Sequence, residues 1–347
     1  MPSKKSAVPN LRYLGCGGDD APCRDGVLGC ELHATTEAAL ARYRSCNIVI
    51  GDVRLDGAQI ADLTNLAALR TVKGILWVTA TSVRDLDPLS ALDSVEHLLV
   101  ESNPRLSDVS ALDGIAFQGI SVYDNDALRD LSGWRALRPI GDVDIGVTAN
   151  AGLVTLGDWP WLRRATALQF SGDSLTSLGR FDNLTRVGVL GISALAKLTS
   201  SDGFPSLESV DQLVVTHATA LTRLPAFPRL TSRVTRLQLI GNAFVDLRGL
   251  EHIPRADELT ISENPELRSL DGLTALTSVA GRLVLDRNPK LRSVHGVSSL
   301  TNANELLVSM NPSLTSCEIE WLANRIGRPD DAHRFADNGG TGPCATP

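Results

Sequence analysis

The sequence is poor in aromatic residues and lacks both long apolar runs and basic clusters. Phe, Trp and Tyr make up only 4% of the 347 residues, so a core must be built mainly from smaller aliphatic side chains. Uninterrupted apolar stretches such as residues 75–78 are far shorter than the ~18 residues that a membrane-spanning helix needs. The net charge is −7, and no basic run is longer than Arg163-Arg164, whereas a nucleic-acid-binding surface usually carries a basic stripe. We therefore predict neither a transmembrane segment nor a nucleic-acid partner.

Cysteine is absent from the whole middle of the chain. The six cysteines lie at the two ends, as Cys16, Cys23, Cys30 and Cys46 on one side and Cys317 and Cys344 on the other. An even number confined to the ends predicts disulfides that fix the end caps, and hence an oxidising, extracytoplasmic compartment. We predict the pair Cys317–Cys344 and a bond from Cys46 to a cysteine of the N-terminal arm. Cys30 is the favoured partner, which would leave Cys16–Cys23 as the third pair. Free thiols in a cytoplasmic protein are the alternative, and zinc is disfavoured because paired CxxC spacings are missing.

The N-terminus does not have the pattern of a signal peptide. Lys4 and Lys5 form a basic start, but proline and polar residues at positions 9–12 interrupt the apolar segment that would follow. Leu14-Gly15-Cys16 resembles a bacterial lipoprotein cleavage site, although lipidation of Cys16 would leave an odd number of cysteines for pairing. We expect a secreted or surface-anchored protein, with lipidation of Cys16 as the alternative.

A repeat of 22 to 25 residues occupies most of the sequence. Every unit opens with apolar-x-apolar, which is the period of a strand with one buried face. Apolar residues then recur at every third position, as in Leu267, Leu270 and Leu273, and this spacing suits 3₁₀ turns. The twelve units begin at Val53, Leu76, Leu98, Ile120, Ile145, Leu168, Leu190, Leu213, Leu237, Leu259, Leu283 and Leu306. Because one unit cannot bury its own apolar edge, the units must stack into a solenoid.

An asparagine recurs five residues after the start of most strands. These asparagines are Asn103, Asn125, Asn150, Asn242, Asn264, Asn288 and Asn311. Asparagine binds nearby backbone groups and tolerates left-handed geometry, so we predict a structural ladder at a buried corner. A row of ligands for a sugar or a metal is the functional alternative.

Both ends of the repeat predict helical caps. Residues 35–45 have a helical pattern ahead of a leading strand at 48–50, and a second helix carries Ile319, Leu322 and Ile326 on its inward face. Such caps would cover the open ends of the stack.

We divide the chain into a partly disordered N-terminal arm, residues 1–30, and one solenoid, residues 31–347. Within the solenoid the cap helix spans residues 35–45, the repeats span 48–315 and the C-terminal cap spans 316–347.

Residues 39–55, Ala-Leu-Ala-Arg-Tyr-Arg-Ser-Cys-Asn-Ile-Val-Ile-Gly-Asp-Val-Arg-Leu, resemble the opening of receptor L domains. These are the leucine-rich-repeat-like ligand-binding domains of insulin and epidermal growth factor receptors. The repeats add matching phrases at 279–285 and at 288–291, Asn-Pro-Lys-Leu. The resemblance covers roughly residues 35–326 and extends to longer bacterial L-domain-like proteins, which end with a Cys-containing helix and a later Cys. It implies a leucine-rich-repeat-like right-handed β-solenoid of about twelve short parallel strands, with 3₁₀ or irregular return segments. No kinase or furin-like region is present, so receptor signalling is not implied.

Signatures of catalysis are missing. The sequence has no HExxH, GxSxG, P-loop or EF-hand motif. A polysaccharide-acting β-helix enzyme would need carboxylates that converge from adjacent strands. The outward middle positions of the twelve strands contain no carboxylate: Arg54, Trp77, Leu99, Ser121, Gly146, Gln169, Gly191, Val214, Gln238, Thr260, Val284 and Leu307. We predict a monomeric, non-catalytic recognition module without metal or cofactor that binds a protein or glycan on its strand face. A structural envelope-associated solenoid without a discrete ligand is the alternative, and a polysaccharide-acting enzyme is the least favoured.

A candidate ligand-binding site lies on the strand face of the second to fourth units. Its residues are Trp77, His97, Leu99, Glu101 and Tyr123. Aromatic anchors of this kind often dominate the energy of an interface.

The prediction of this site depends on the strand register of the second unit. Either Leu76 and Val78 point inward, or Ile75 and Trp77 do, and a slip of one residue reverses every side chain. We favour the first register because a tryptophan would crowd a narrow core of Leu and Val.

Overall fold

A computed structural model describes residues 23, 25–172, 174–199, 203–326 and 333–344. Most of the N-terminal arm of residues 1–30, which was predicted to be partly disordered, lies outside these residues, and so does Cys16 with the alternative of its lipidation.

Sixteen strands and two helices form the described chain. In order they are β1 (Val27–Leu28), β2 (Leu32–Thr36), α1 (Glu37–Leu40), β3 (Ile48–Val49), β4 (Val53–Gln59), β5 (Thr71–Thr79), β6 (Ser94–Glu101), β7 (Ala116–Tyr123), β8 (Arg138–Thr148), β9 (Arg164–Ser171), β10 (Arg186–Ser193), β11 (Ser209–Thr216), β12 (Val234–Ile240), β13 (Arg255–Ser262), β14 (Ser278–Asp286), β15 (Asn302–Ser309), α2 (Ser316–Ile326) and β16 (His333–Ala336).

All of the strands belong to one parallel sheet. From β5 to β16 each strand pairs with the next strand along the chain, while β1 reaches β5 through β3, and β2 reaches it through β4. The 3₁₀ turns predicted from the three-residue spacing occur in several return segments, for example at Thr64–Leu66 and Asp87–Leu89. The leucine-rich-repeat-like β-solenoid predicted from the repeat is confirmed.

Alternation of side chains places one face of each strand in the core. In β10, Leu190 and Ile192 are fully buried, while Gly191 between them lies on the outer face. All twelve predicted strand starts fall inside β4–β15. Most of these strands begin earlier than predicted, because a buried residue before the start, such as Val72, also pairs with its neighbour, here Val95, ahead of a bulge.

The ends of the solenoid differ from the predicted caps. Residues 35–36, predicted as helix, end β2, and Thr36 instead caps the single turn of α1 by accepting a hydrogen bond from the Ala39 amide at 3.2 Å. Helix α1 continues as a 3₁₀ turn at Ala41–Tyr43, so the helical segment covers residues 37–43 of the predicted 35–45. It begins later than predicted because Leu32 and Ala34 are buried in a strand that pairs with β4. The sheet also extends into the predicted arm with β1 and into the predicted C-terminal cap with β16.

The C-terminal helix α2 is fixed to the last repeats by a buried carboxylate. The three residues predicted to face inward are buried. Glu318 is fully buried, accepts a hydrogen bond from the Val294 amide at 2.9 Å and lies 3.2 Å from Nε2 of His295. The His295 ring stacks on Trp321 with centroids 4.3 Å apart. Helix α2 thus covers the end of the core through polar as well as apolar contacts.

The predicted asparagines form an internal hydrogen-bonded ladder. All seven are buried, with at most 1% of their surface exposed. The amide group of Asn264 donates to the Leu239 and Ser262 carbonyls, and its Oδ1 accepts from the Asn242 amide at 3.0 Å. Asn338, which the sequence reasoning missed, continues the ladder below Asn311. The asparagine side chains are therefore buried and bound to the backbone, as expected for a structural ladder at a corner.

The left-handed geometry expected at these asparagines occurs one residue earlier. From β5 to β16 the residue directly after every strand has a positive φ, and only Gly172 and Gly241 are glycines. The other ten have φ between 52° and 58°: Ala80, Ser102, Asp124, Ala149, Ala194, His217, Glu263, Arg287, Met310 and Asp337. We call these twelve positions the corner row. The left-handed conformation is unfavourable for residues with a Cβ, so the stacking of the turns must hold these residues in it.

An aromatic stack occupies the part of the core where the ladder is interrupted. After β10 and β11 the ladder position is taken by Leu195 and Ala218 instead of asparagine. In the return segments of this region Phe204 lies between Phe181 and Phe227, with ring centroids 5.1 and 5.6 Å away. Rings stacked at such distances gain stability beyond their buried area.

The predicted disulfides agree with the structure fully at the C-terminal end and in part at the N-terminal end. Cys317 is bonded to Cys344 as predicted. Cys46 is bonded to a cysteine of the N-terminal arm, as predicted, but the partner is Cys23, so the favoured pairs Cys30–Cys46 and Cys16–Cys23 are wrong. Cys30 is itself disulfide-bonded, and Cys16 lies outside the described residues. Strand β1 pairs with β3, which brings the segment before β1, and Cys23 with it, close to Cys46.

Replacing both Cys317 and Cys344 by serine is expected to lower the free energy of unfolding by about 3 kcal/mol, because the bond closes a loop with a separation of 27 residues. Urea denaturation followed by circular dichroism measures this loss. The reduced wild-type protein should show a larger loss, because reduction also breaks the Cys23–Cys46 bond, and a double variant as stable as the oxidised wild type would contradict the expectation.

Candidate functional site

The strand face of β5–β7 carries the predicted site residues on its outer side. Leu76 and Val78 are fully buried, and Trp77 between them is half-buried on the outer face. The register favoured from the sequence is therefore confirmed. Trp77 is the register partner of Leu99 on β6, so their side chains are neighbours on the same face.

An arginine from the preceding strand lies over Trp77. Arg54 on β4 is the register partner of Trp77, and its guanidinium carbon lies 4.7 Å from the ring centroid. A cation–π contact of this kind is worth about 0.5–1 kcal/mol at an exposed site. It orders the indole on the surface and covers one of its two faces.

Tyr123 and Glu101 form a second neighbouring pair at the carboxyl ends of the strands. They are register partners on β7 and β6, and Thr79 on β5 is the next residue in the same row. Tyr123 is 42% exposed, which makes it one of the few exposed large hydrophobic side chains in the described residues. Its ring is available to a partner beside a carboxylate.

His97 lies over a glycine of the next strand. A Cβ placed on Gly119, its register partner on β7, would lie 2.4 Å from Cδ2 of His97. Any larger residue at position 119 would displace the imidazole ring. The sequence reasoning missed Gly119, although a glycine at an outward strand position was the available signal.

The five predicted residues thus lie together on one face of three adjacent strands, and we call Trp77, His97, Leu99, Glu101 and Tyr123 the strand-face patch. The surface next to it is smooth, since the outward middle residues of β7 and β8 are Ser121 and Gly146. A Cβ on Gly146 would meet only the Ser121 hydroxyl, at 3.9 Å. The geometry is that of a flat contact surface.

Within the described part of the chain, no group of three or more His, Cys, Asp or Glu side chains is arranged to hold a metal ion. The described helices include none that is long and apolar enough to cross a membrane.

The sequence matches no protein-family model and no curated protein. Among solved structures, an internalin from Listeria monocytogenes (InlF) is 16% identical over 88% of this chain and 77% of that chain, with a TM-score of 0.37. The TLR13–ssRNA13 complex is 16% identical over 88% of this chain and 56% of that chain, with a TM-score of 0.34. The functional domain of InlJ from Listeria monocytogenes, described as including a cysteine ladder, is 16% identical over 86% and 72%, with a TM-score of 0.26. This chain spans little more than half of TLR13. At such scores the similarities carry no argument, so the fold rests on the strand pairing described above.

Proposed function

We propose that this chain is a non-catalytic recognition module that binds a partner protein through the strand-face patch. The observation that supports the proposal is the cluster of half-buried and exposed apolar and aromatic side chains on an otherwise smooth outer sheet face. Apolar and aromatic side chains at the centre of a contact surface contribute most of the binding energy in many interfaces.

A protein partner is favoured over a glycan by the position of Arg54. Its guanidinium already covers one face of Trp77, and that face is not free to stack on a sugar ring. Leu99 beside it adds an aliphatic contact that suits an apolar side chain of a protein.

Cellular location, oligomeric state and family resemblance are part of the same proposal. We propose a monomeric, secreted or surface-anchored bacterial L-domain-like protein, with residues 31–347 as its solenoid. Disulfides at both ends of the stack support an oxidising compartment, since such bonds rarely persist in the cytosol.

A displayed library of random 12-residue peptides, selected on the wild-type protein, tests the proposal. We expect the selected peptides to bind the double variant W77A/Y123A at least tenfold more weakly, because both anchors would be lost. Fluorescence anisotropy with the synthesised peptides measures the affinities.

The matched control is V284A/L307A, which truncates outward middle residues of β14 and β15 on the same sheet face. This variant should bind the peptides as the wild type does, and both variants should melt close to the wild type. Equal binding to W77A/Y123A would overturn the proposed site. Binding to a glycan array without any selected peptide would replace the protein partner by a glycan.

A further inference from the structure

The carboxylates of the strand face differ in their ion pairing between β13–β15 and β4–β8. On β13–β15 the four carboxylates all form ion pairs. Arg233 pairs with Asp257, and Glu258 lies 3.4 Å from Arg236. Arg282 pairs with Glu305 at 2.8 Å, and Asp286 pairs with its chain neighbour Arg287 at 2.6 Å. The carboxylates of these three strands are therefore internally compensated.

On β4–β8, which include the strands of the strand-face patch, the carboxylate charges are not fully compensated. Asp56, Glu96, Glu101 and Asp144 lie on β4, β6 and β8, and within the described residues their side chains have neither an ion pair nor a hydrogen bond. On the same strands Asp142 pairs with Arg164, and Arg138 pairs with Asp93.

Two basic residues remain on β4–β8 outside these pairs, Arg54 over Trp77 and Lys73. Four carboxylates against two cations leave a charge of −2 on these strands, if histidine is neutral.

The uncompensated carboxylates adjoin the apolar residues of the patch. Glu101 is the register partner of the exposed Tyr123, and Asp144 is the register partner of Gly119, over which His97 lies. Glu101 and Asp144 are two strands and several residues apart, or ~16 Å at the usual strand dimensions. Two cationic side chains a few residues apart on one extended segment span this distance.

We propose that the segment of the partner protein that docks on the strand-face patch is cationic, with lysine or arginine side chains flanking apolar ones. This inference rests on the proposed function and specifies its partner. A cationic segment complements the local charge without breaking an existing ion pair, whereas the same segment on β13–β15 would compete with the resident arginines. Charge complementarity of this kind guides encounter and selects among partners.

The charge of the selected 12-residue peptides tests the inference. We expect the peptides enriched on the wild type to carry a net charge of +2 or more. Their affinity should fall about tenfold between 50 and 500 mM NaCl, because salt screens exposed charges. The variant E101Q/D144N, which keeps the shape of both side chains, should bind them about tenfold more weakly.

The control variant E258Q/E305Q neutralises two of the ion-paired carboxylates on β13–β15 and should change the affinity less than twofold. Neutral or acidic enriched peptides, or full affinity in E101Q/D144N, would overturn the cationic partner. If neutral or acidic peptides are enriched and still lose binding in W77A/Y123A, the proposed function stands and only the cationic character of the partner is lost. If cationic peptides depend on Glu101 and Asp144 but not on Trp77 and Tyr123, the charge inference stands and the aromatic anchors fail. Recovery of no peptide at all would overturn both.

Discussion

The variant Asn264→Ala should lose about 2–6 kcal/mol of unfolding free energy. Without the side chain, the buried Asn242 amide and the Leu239 carbonyl lose their partners, which lie 3.0 and 2.9 Å away. Each buried main-chain group left unsatisfied costs about 1–3 kcal/mol. The loss is large because asparagines of the ladder also hydrogen-bond to the asparagines of adjacent turns. Asn264 itself donates to Oδ1 of Asn288.

Asn304→Ala is the matched control for this experiment. Asn304 is exposed on β15 and its side chain makes no hydrogen bond within the described residues, so the change should stay within about 0.5 kcal/mol. Urea denaturation with the disulfides intact compares the two variants. Equal losses for both substitutions would show that the ladder does not stabilise the fold.

Truncating the centre of the aromatic stack, Phe204→Ala, is expected to cost about 3–5 kcal/mol. Phe204 is fully buried between two parallel rings, and the cavity left by the substitution removes contacts on both sides. Its neighbours Phe181 and Phe227 are held in the return segments of their own turns and therefore close the cavity only in part.

Phe204→Leu distinguishes the stack from simple burial. Leucine occupies the equivalent place in other return segments, for example at Leu89, where it is fully buried. We expect this substitution to cost under about 2 kcal/mol, since most of the volume is kept. Melting temperature and urea midpoint should both rank the wild type above the Leu variant and the Leu variant above the Ala variant. A Leu variant as unstable as the Ala variant would mean that ring stacking outweighs volume.

The interior of this fold was predictable because stacking repeats one rule at every turn. Leu76 and Val78 were the favoured inward pair in the aligned units, and they pair in register with Leu98 and Val100 of the next strand. The rule fails at the ends. Leu32 and Ala34 form a strand that, among the described residues, pairs with β4 alone, and no repeated phrase marks them. The partner of Cys46 likewise depended on the path of the segment before β1, which the repeat does not specify.

The candidate site was predictable as positions but not as contacts. Alternation along each strand placed Trp77 and Leu99 on the outer face, and the repeat length brought them side by side. The stacking of Arg54 on Trp77 and the dependence of His97 on Gly119 are different, because they follow from side-chain conformations across neighbouring strands. Nothing in the spacing of the repeat encodes those conformations.

The corner row has a further consequence for how binding preference can be altered. Ten of its twelve positions hold side chains as different as those of Ala149, His217, Arg287 and Met310, yet φ differs by no more than 6° among the ten. The stack, and not the local residue, sets the backbone there. One member, Asp124, directly follows Tyr123 of the strand-face patch. The side chains at these positions can therefore vary along the edge of the sheet without a change in the backbone. Natural variation or protein engineering can change the chemistry offered to a ligand there while the core and the hydrogen-bonded ladder stay the same.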